Sequence, residues 1–455
     1  MTERRRDAAC VAGLYAASAV LYLSFQSKVY VFEGLARALP IELGHWRTAV
    51  HGNYLAYGLL GGAFHRLLQA CGLSPLAVVS LQTLDAFLGA AGLCVFYAIQ
   101  RVLGAGRPAA LAWAAVLGLT QGYWMWSSEA ENYIFSALLL QCLFLALSAR
   151  LAGRRVPAAL IGVLHALAVT GHLVNVVFVL PAAFVVARTG ARRDVAIYAG
   201  AWLAGVAALY GAALAFVRPP NPLVWFIGSA MSSSGGVNVR DTWSWGNLLV
   251  WLGTTGKAVV ADPWRPALLV VAVGAVAGLR RLRGVRRDAA LAAGLWLAGY
   301  AVVFTRWEPY TMVYRVTDLA PVVLLLSFAW PASAGAVLAV LLALANGPGA
   351  IFRADAANNP RLARMEFIRA STQEGDWVAG EGGDELYIPY FAQRRPLLLG
   401  RRREDLEPAV TGLLAAGQRV YLPATVVSDP YWGPRLKAWR LEKTASDGKG
   451  GDLYR

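Results

Sequence analysis

The sequence predicts an α-helical polytopic membrane protein of about eleven transmembrane helices with a small C-terminal α/β domain that is extracytoplasmic. Three observations predict it. The 455-residue chain is 57% hydrophobic and only 15% charged, with a mean hydropathy of +0.49, a balance outside that of soluble globular chains. Apolar runs recur through Gly349, separated by arginine clusters such as Arg4–Arg6 and Arg280–Arg287. From Phe352 onward the pattern changes to short alternating helical and extended segments. A net charge of +15 would point to nucleic acid in a soluble chain. Here the basic residues punctuate apolar runs, so the charge reads as topology and no nucleic-acid partner is expected.

Taken in order, the expected spans are 8–25, 75–99, 108–124, 133–149, 156–170, 173–187, 195–217, 266–279, 289–305, 319–330 and 332–345, judged against the ~20 residues a span needs. The first follows MTERRRDAAC without a small-residue cleavage site and reads as a retained helix rather than a signal peptide. Between the first two spans lies 28–73, a juxtamembrane stretch with Glu33 near its start and three of the five histidines (His45, His51, His65). Its composition suits two amphipathic segments at a membrane face. The stretch 218–264 carries the Ser/Gly break SSSGGVN and then Trp243, Trp245, Trp251 and Trp264. It reads as a flexible segment followed by an interfacial or re-entrant helix, either a substrate lid or an aromatic belt. Residues 1–349 form the membrane domain. Residues 350–455 form the small domain, with helices expected at NNPRLARMEFIRAST and LEPAVTGLLAAG and strands at DWVAGEG and QRVYLP. Its EGGDELY is not assigned as a phosphate loop.

Orientation follows from charge. With the N-terminus cytoplasmic, the short inside loops hold Arg101, Arg107, Arg150, Arg154, Arg155, Arg188, Arg192 and Arg193, and most acids of the membrane part fall outside. Glu33, Glu129, Glu131, Glu308 and Asp318 then share the extracytoplasmic face.

Ionisable groups near a bilayer need a reason. Glu129 and Glu131 crowd a very short outside connection, Glu131 at a helix start where the dipole favours a carboxylate. His172, in TGHLVNVV, beside a carboxylate would hold a metal or a phosphate, or is simply a satisfied polar group. Asp85 lies half-way along its apolar run and must be paired or wet; substrate binding and a helix–helix hydrogen bond both stay open. FTRWEPYTMVYRVTDLAPVV gathers Arg306, Glu308, Tyr310, Tyr314 and Arg315, in which arginines with tyrosine support clamp a lipid phosphate, against snorkelling arginines as the bland account. Cys10, Cys71, Cys94 and Cys142 show no paired spacing, so neither structural disulfides nor a zinc site is expected. No Walker loop, HExxH or GxSxG elbow occurs in a supporting context.

With these motifs in hand, the membrane part resembles the GT-C integral-membrane glycosyltransferases that use polyprenyl-phosphate sugars, among them protein mannosyltransferases and the lipid A aminoarabinose transferase. FEG places Glu33 at the family's first-loop acid, often Asp in some branches. HGNYLAYGLLG resembles the HPPLYY-like element, departing at Gly52 and Asn53 where prolines are usual; His51 and Tyr54 are its substrate-binding candidates. SSEAENY resembles the second-loop acid region, and YRVTDLAP a late Arg-Tyr segment. The resemblance implies inverting transfer of a sugar to a glycan or protein acceptor in the cell envelope. Glu33 would act as general base, Arg306 or Arg315 with Tyr314 would hold the donor phosphate, and Glu129, Glu131 and His172 would hold a divalent metal or orient the acceptor. Metal dependence stays open. The implied location is the inner (plasma) membrane. A transporter or flippase of a lipid-linked or small polar substrate is the alternative, although no internal repeat is visible and the acids gather on one face. A non-catalytic scaffold would need no acid beside the first span.

The orientation has a direct test. Single cysteines at Arg154→Cys and Glu308→Cys, in a background without the native cysteines, should differ in intact cells. A membrane-impermeant maleimide should label the second and spare the first.

Overall fold

A computed structural model describes residues 2–226, 243–262, 271–272, 274–276, 278–380, 383–398, 406–429, 432–436, 439, 441–448 and 451–455. The Ser/Gly break, Asp241, Trp264, the first two residues of EGGDELY and most of the span expected at 266–279 lie outside the described residues. The chain divides into two compact units, one of residues 1–27 and 40–352, the other of residues 28–39 and 353–455.

The first unit is built from α1 (Glu3–Ser24), α3 (Leu55–Ala70), α4 (Ala77–Val102), α5 (Arg107–Leu119), α6 (Gln121–Ser127), α7 (Asn132–Leu151), α8 (Ala158–Gly171), α9 (Val179–Thr189), α10 (Arg192–Val217), α11 (Trp245–Val259), α12 (Gly284–Phe304), α13 (Val316–Ala329) and α14 (Ala332–Ala354). The helix α2 (Phe32–Glu42) crosses the boundary between units at Pro40. Seven helical segments among the described residues are long and apolar enough to cross a bilayer, and Arg107–Leu119, Ala158–Gly171 and Leu173–Thr189 are shorter apolar ones. Together they account for every expected span except 266–279. Backbone groups in hydrocarbon have no water to bond, which is why the chain solves the span problem with helices alone.

Burial sorts the helices. The apolar windows of α4 and of Met312–Ala329 are each 61% buried and that of α7 is 56% buried, whereas α10 is 6% and α1 17%. The first three therefore form the middle of the bundle, and α10 and α1 turn most of their surface outward. Polar side chains cross-link the middle: Tyr22 donates to Gly118 O at 3.1 Å, Tyr123 to Gly89 O at 2.9 Å, and Gln100 to Ser327 Oγ at 2.7 Å. At one end, Asp7 accepts from Tyr97, Arg101 and Arg107 at 2.8, 3.1 and 2.8 Å. Arg150 meets Asp194 at 2.6 Å. The arginines from which the orientation was expected are thus also ion-paired struts.

The span expected at 108–124 is two helices. Thr120 is extended (φ −60°, ψ 145°) and its hydroxyl donates to Leu117 O at 2.7 Å, a local bond that competes with helix continuation. Asn346 from α14 then satisfies the freed carbonyl of Leu119 at 2.8 Å. Both amphipathic segments expected in 28–73 are present as α2 and α3, and α3 stops at Gly72, whose φ of +79° suits glycine. The expectation that all of 28–73 belongs with the membrane part is corrected for its first twelve residues. Lys28 N donates to Arg353 O (2.7 Å), Asn359 Nδ2 to Lys28 O (2.8 Å) and Tyr387 Oη to Tyr30 O (3.0 Å), which ties residues 28–39 to the C-terminal unit.

In that second unit, α15 (Pro360–Ser371) and α16 (Leu406–Ala415) accompany a five-stranded sheet. Its strands are β1 (Trp377–Gly380), β2 (Arg395–Leu398), β3 (Val420–Pro423), β4 (Lys443–Ser446) and β5 (Asp452–Tyr454), in the order β2-β1-β3-β5-β4. β1 pairs in parallel with β2 and β3, Trp377 facing Arg395 and Val420, and β5 is antiparallel to β3 and β4. Ala379, Leu397, Val410, Val420, Leu422, Val426 and Leu436 make its core. The β4–β5 hairpin has a polar sequence and no apolar alternation to announce it. Lys443 meets Asp452 across it at 2.8 Å and holds that carboxyl below the usual carboxylate range.

Close helix packing gives a prediction. A Cβ at Gly58 would lie 1.9 Å from Ala49 O, whereas one at Gly211 would meet nothing within 4 Å. Gly58→Ala should destabilise by about 1–3 kcal/mol through overpacking, and Gly211→Ala should be neutral or stabilising. Thermal unfolding in detergent checks the contrast.

Candidate functional site

Asp85 and the α6–α7 connection form the first part of the site. Asp85 is fully buried on α4. Its Oδ2 accepts from Tyr57 Oη at 2.6 Å and from Glu131 N at 2.9 Å, while Oδ1 has no hydrogen-bond partner among the described residues. One turn earlier, Gln82 Nε2 donates to Ser27 O at 2.7 Å and lies 3.5 Å from Glu129 Oε1. Glu129 also accepts from Ala130 N at 3.2 Å. Glu131 caps α7, accepting from Asn132 N at 3.1 Å, as its place at a helix start suggested. Both glutamates are buried. The pairing alternative for Asp85 is therefore realised, through Tyr57 and a backbone N–H.

The second part is a wall of rings. His172 ends α8, and its Nδ1 accepts from Val174 N at 3.1 Å. In the neutral ring the proton then sits on Nε2, which lies 3.2 Å from Tyr133 Oη. From there the rings continue: Tyr133 to Tyr314 at 5.3 Å between centroids, Tyr314 to Phe304 at 5.0 Å, and Tyr314 to Trp307 at 5.3 Å. On the other side Tyr54 lies 6.4 Å from His172 and is stacked on His51 at 4.4 Å. His51 Nδ1 accepts from Asn53 N at 3.3 Å.

Arg315 closes the wall. It opens α13 and its side chain is fully buried. Nη1 lies 3.3 Å from Asp318 Oδ2, and the guanidinium carbon stands 4.3 Å from the Phe304 ring and 5.5 Å from the Trp251 ring. None of its three nitrogens has a hydrogen-bond partner among the described residues, nor has either Asp318 oxygen. A buried charge is costly unless it is paired, and here the Asp318 carboxylate is the counter-ion. Planar N–H groups of this kind match the oxygens of a phosphate. Trp251, on the segment read as lid or belt, turns inward here, whereas Trp243 and Trp245 are exposed.

The structure thus joins His51, Tyr54, Asp85, Glu129, Glu131, His172, Tyr314 and Arg315 through a continuous set of contacts. Arg306 is exposed just after α12. Glu33 is exposed in the first turn of α2, within the second unit. No group of three or more His, Cys, Asp or Glu among the described residues is arranged to hold a metal. Sequence reasoning missed Tyr57, Tyr133 and Asp318 as members of the site. Asp318 alone left a signal, standing three residues after Arg315 on a helix start, within reach of it.

No family model matches the sequence, and no curated protein matches it. Solved structures do match. The aminoarabinose transferase ArnT from Cupriavidus metallidurans, bound to undecaprenyl phosphate, superposes with a TM-score of 0.67 at 16% identity over 97% of both chains. The chain has the GT-C fold. An oligosaccharyltransferase from Archaeoglobus fulgidus in complex with zinc and sulfate matches at a TM-score of 0.54 and 12% identity, over 93% of this chain and 69% of that one. The archaeal oligosaccharyltransferase AglB from the same organism, in complex with an inhibitory peptide and dolichol phosphate, gives 0.53 and 12% over 98% and 74%. The expected GT-C architecture, an integral membrane helical bundle with a small C-terminal α/β part, is what the structure has.

The Arg315–Asp318 pair has a stability test. Asp318→Leu leaves a buried guanidinium uncompensated and should cost about 3–5 kcal/mol. Arg315→Met combined with Asp318→Leu should recover much of that loss in detergent unfolding. Additive losses would show that the two side chains are not coupled.

Proposed function

We propose that the chain is a membrane glycosyltransferase that moves a sugar from a polyprenyl-phosphate donor to an extracytoplasmic glycolipid, polysaccharide or protein acceptor, with inversion. The observation that carries the reading is Arg315, buried inside a GT-C bundle with the Asp318 carboxylate 3.3 Å from Nη1. Lipid-linked chemistry is consistent with the similar structures, whose ligands include undecaprenyl phosphate and dolichol phosphate. The proposed setting is the inner membrane, with the N-terminus cytoplasmic and the site on the opposite face.

In the proposed reaction the acceptor hydroxyl oxygen attacks the anomeric carbon from the side opposite the phosphate. Its proton passes to a carboxylate base, the role that the resemblance gives Glu33, as the C–O bond to phosphate breaks, and the bonding pair leaves with the lipid phosphate. An ordinary carboxylate is a weak base at neutral pH, so Glu33 acts through position and through acidity that develops in the nucleophile during attack. Arg315 stabilises the charge that grows on the departing phosphate, in surroundings where fixed cations act more strongly than in water. Tyr314 packs beside it, and Arg306 offers a second, exposed cation on the same connection. His51, Tyr54 and Asp85 are assigned to substrate binding, and Glu129, Glu131 and His172 to holding the acceptor. His172 presents an N–H to an oxygen rather than a lone pair to a proton.

Two variants test this. Glu33→Gln should lower transfer from radiolabelled polyprenyl-phosphate sugars by about 10²–10⁴-fold with expression intact. Arg315→Lys, which keeps charge but loses the planar fork, should lower transfer while the protein still inserts. Full transfer by Glu33→Gln would remove that residue from the chemistry. Absence of transfer by the wild type with any donor, together with uptake or efflux of a lipid-linked substrate, would replace the reading with transport.

A further inference from the structure

A second basic site lies in the first unit, built from residues the transfer reaction does not use. The turn Gly44–Thr48 and the outer side of α3 enclose an open cleft of about 840 Å³, lined by His45, Trp46, Arg47, Leu59, Arg66 and Phe216 among others. Its volume is in the range of sites for small organic ligands, roughly 300–1,000 Å³. The cleft is constructed rather than incidental. A Cβ at Gly62 would lie 2.1 Å from the Trp46 ring, so only glycine lets the indole lie against α3. The Arg66 guanidinium then stands 4.2 Å from the centre of that ring, a cation–π contact that fixes its direction.

The chemistry of the lining is two-sided. Arg47 and Arg66 supply positive charge, and no carboxylate of the described residues lines the cleft. Leu59 and Phe216 supply an exposed apolar wall, 38% and 42% accessible. Phe216 belongs to the last turn of α10, the helix whose apolar window is only 6% buried and therefore faces hydrocarbon. Leu43 and Leu67, next in sequence to Gly44 and Arg66, are also exposed, and tryptophan is characteristic of the membrane–water boundary. Free phosphate would use the arginines and leave the wall unused. A neutral lipid would use the wall and leave the cations unused.

We infer that this cleft binds an anionic glycerophospholipid of the surrounding bilayer, its headgroup phosphate on Arg47 and Arg66 and an acyl chain along Leu59 and Phe216. Arginine suits the phosphate because it bonds two oxygens at once, and the acyl chain supplies the apolar contact that a soluble anion lacks. The site is independent of the transfer reading, since it needs only a membrane-embedded chain.

The test is native mass spectrometry of the full chain in detergent, titrated with dioctanoyl phosphatidylglycerol, dioctanoyl phosphatidylcholine and inorganic phosphate. The wild type should retain phosphatidylglycerol adducts in preference to phosphatidylcholine, and phosphate should not displace them. R47Q/R66Q should bind phosphatidylglycerol at least tenfold more weakly (about 1.4 kcal/mol), with phosphatidylcholine unchanged. Ala63→Trp, which fills the cleft and keeps both arginines, should lose the same adducts and decides the matter if the double variant does not fold. Unchanged phosphatidylglycerol binding in either variant would overturn the inference. So would displacement by inorganic phosphate, which would make the ligand a soluble anion, or by undecaprenyl phosphate at equal concentration, which would make the cleft a site for the donor lipid.

Discussion

One carboxylate holds the middle of the bundle in register. Asp85 accepts from Tyr57 on α3 and from the backbone of Glu131 at the start of α7, so three segments meet on a single side chain of α4. In a bilayer such a group cannot fall back on water, and any rearrangement that separated it from its donors would leave a buried charge or three orphaned polar groups. The positions of Glu129, Glu131, Tyr133 and, through Tyr133, His172 all follow from where that connection is pinned.

From this anchor the site is arranged by shape and dielectric more than by ion pairs. Tyr133, Tyr314, Phe304 and Trp307 form a ring wall that keeps the guanidinium of Arg315 in an apolar setting beside Asp318. Burial makes the cation costly to leave without a counter-charge, which is the physical basis of the phosphate contact proposed for it. The aromatic side chains also have polar tips. Tyr133 reaches His172 with its hydroxyl while its ring packs on Tyr314, so the wall combines packing with a defined hydrogen-bond direction.

How much of this was legible follows from what kind of signal each element leaves. Spans announce themselves by apolar length, so the membrane architecture was readable, down to the two amphipathic segments of 28–73. Thr120 was not readable as a break, because threonine is common in membrane helices and only its hydroxyl bond to Leu117 O and the reach of Asn346 decide the matter. The β4–β5 hairpin was missed because its strands are short and polar. At the site, Glu131 as a cap and Arg315 beside Tyr314 were visible as local patterns. Tyr57 was invisible as a partner of Asp85, since a contact between helices 28 positions apart leaves no periodic trace. Asp318 sat in plain view but was counted as a charge marking sidedness rather than as the companion of Arg315.

The hydrogen bond from Tyr387 to the carbonyl of Tyr30 spans 357 positions of sequence. It belongs to a unit whose two pieces are made at opposite ends of synthesis, so the segment carrying Glu33 leaves the ribosome long before its partners exist. Assembly of that unit is therefore a late event, after the spans between have been inserted. For protein engineering the boundary is not at residue 353. A chimera that exchanges only the C-terminal portion with a related chain would confront residues 28–39 with foreign neighbours, and a workable graft has to carry both pieces together.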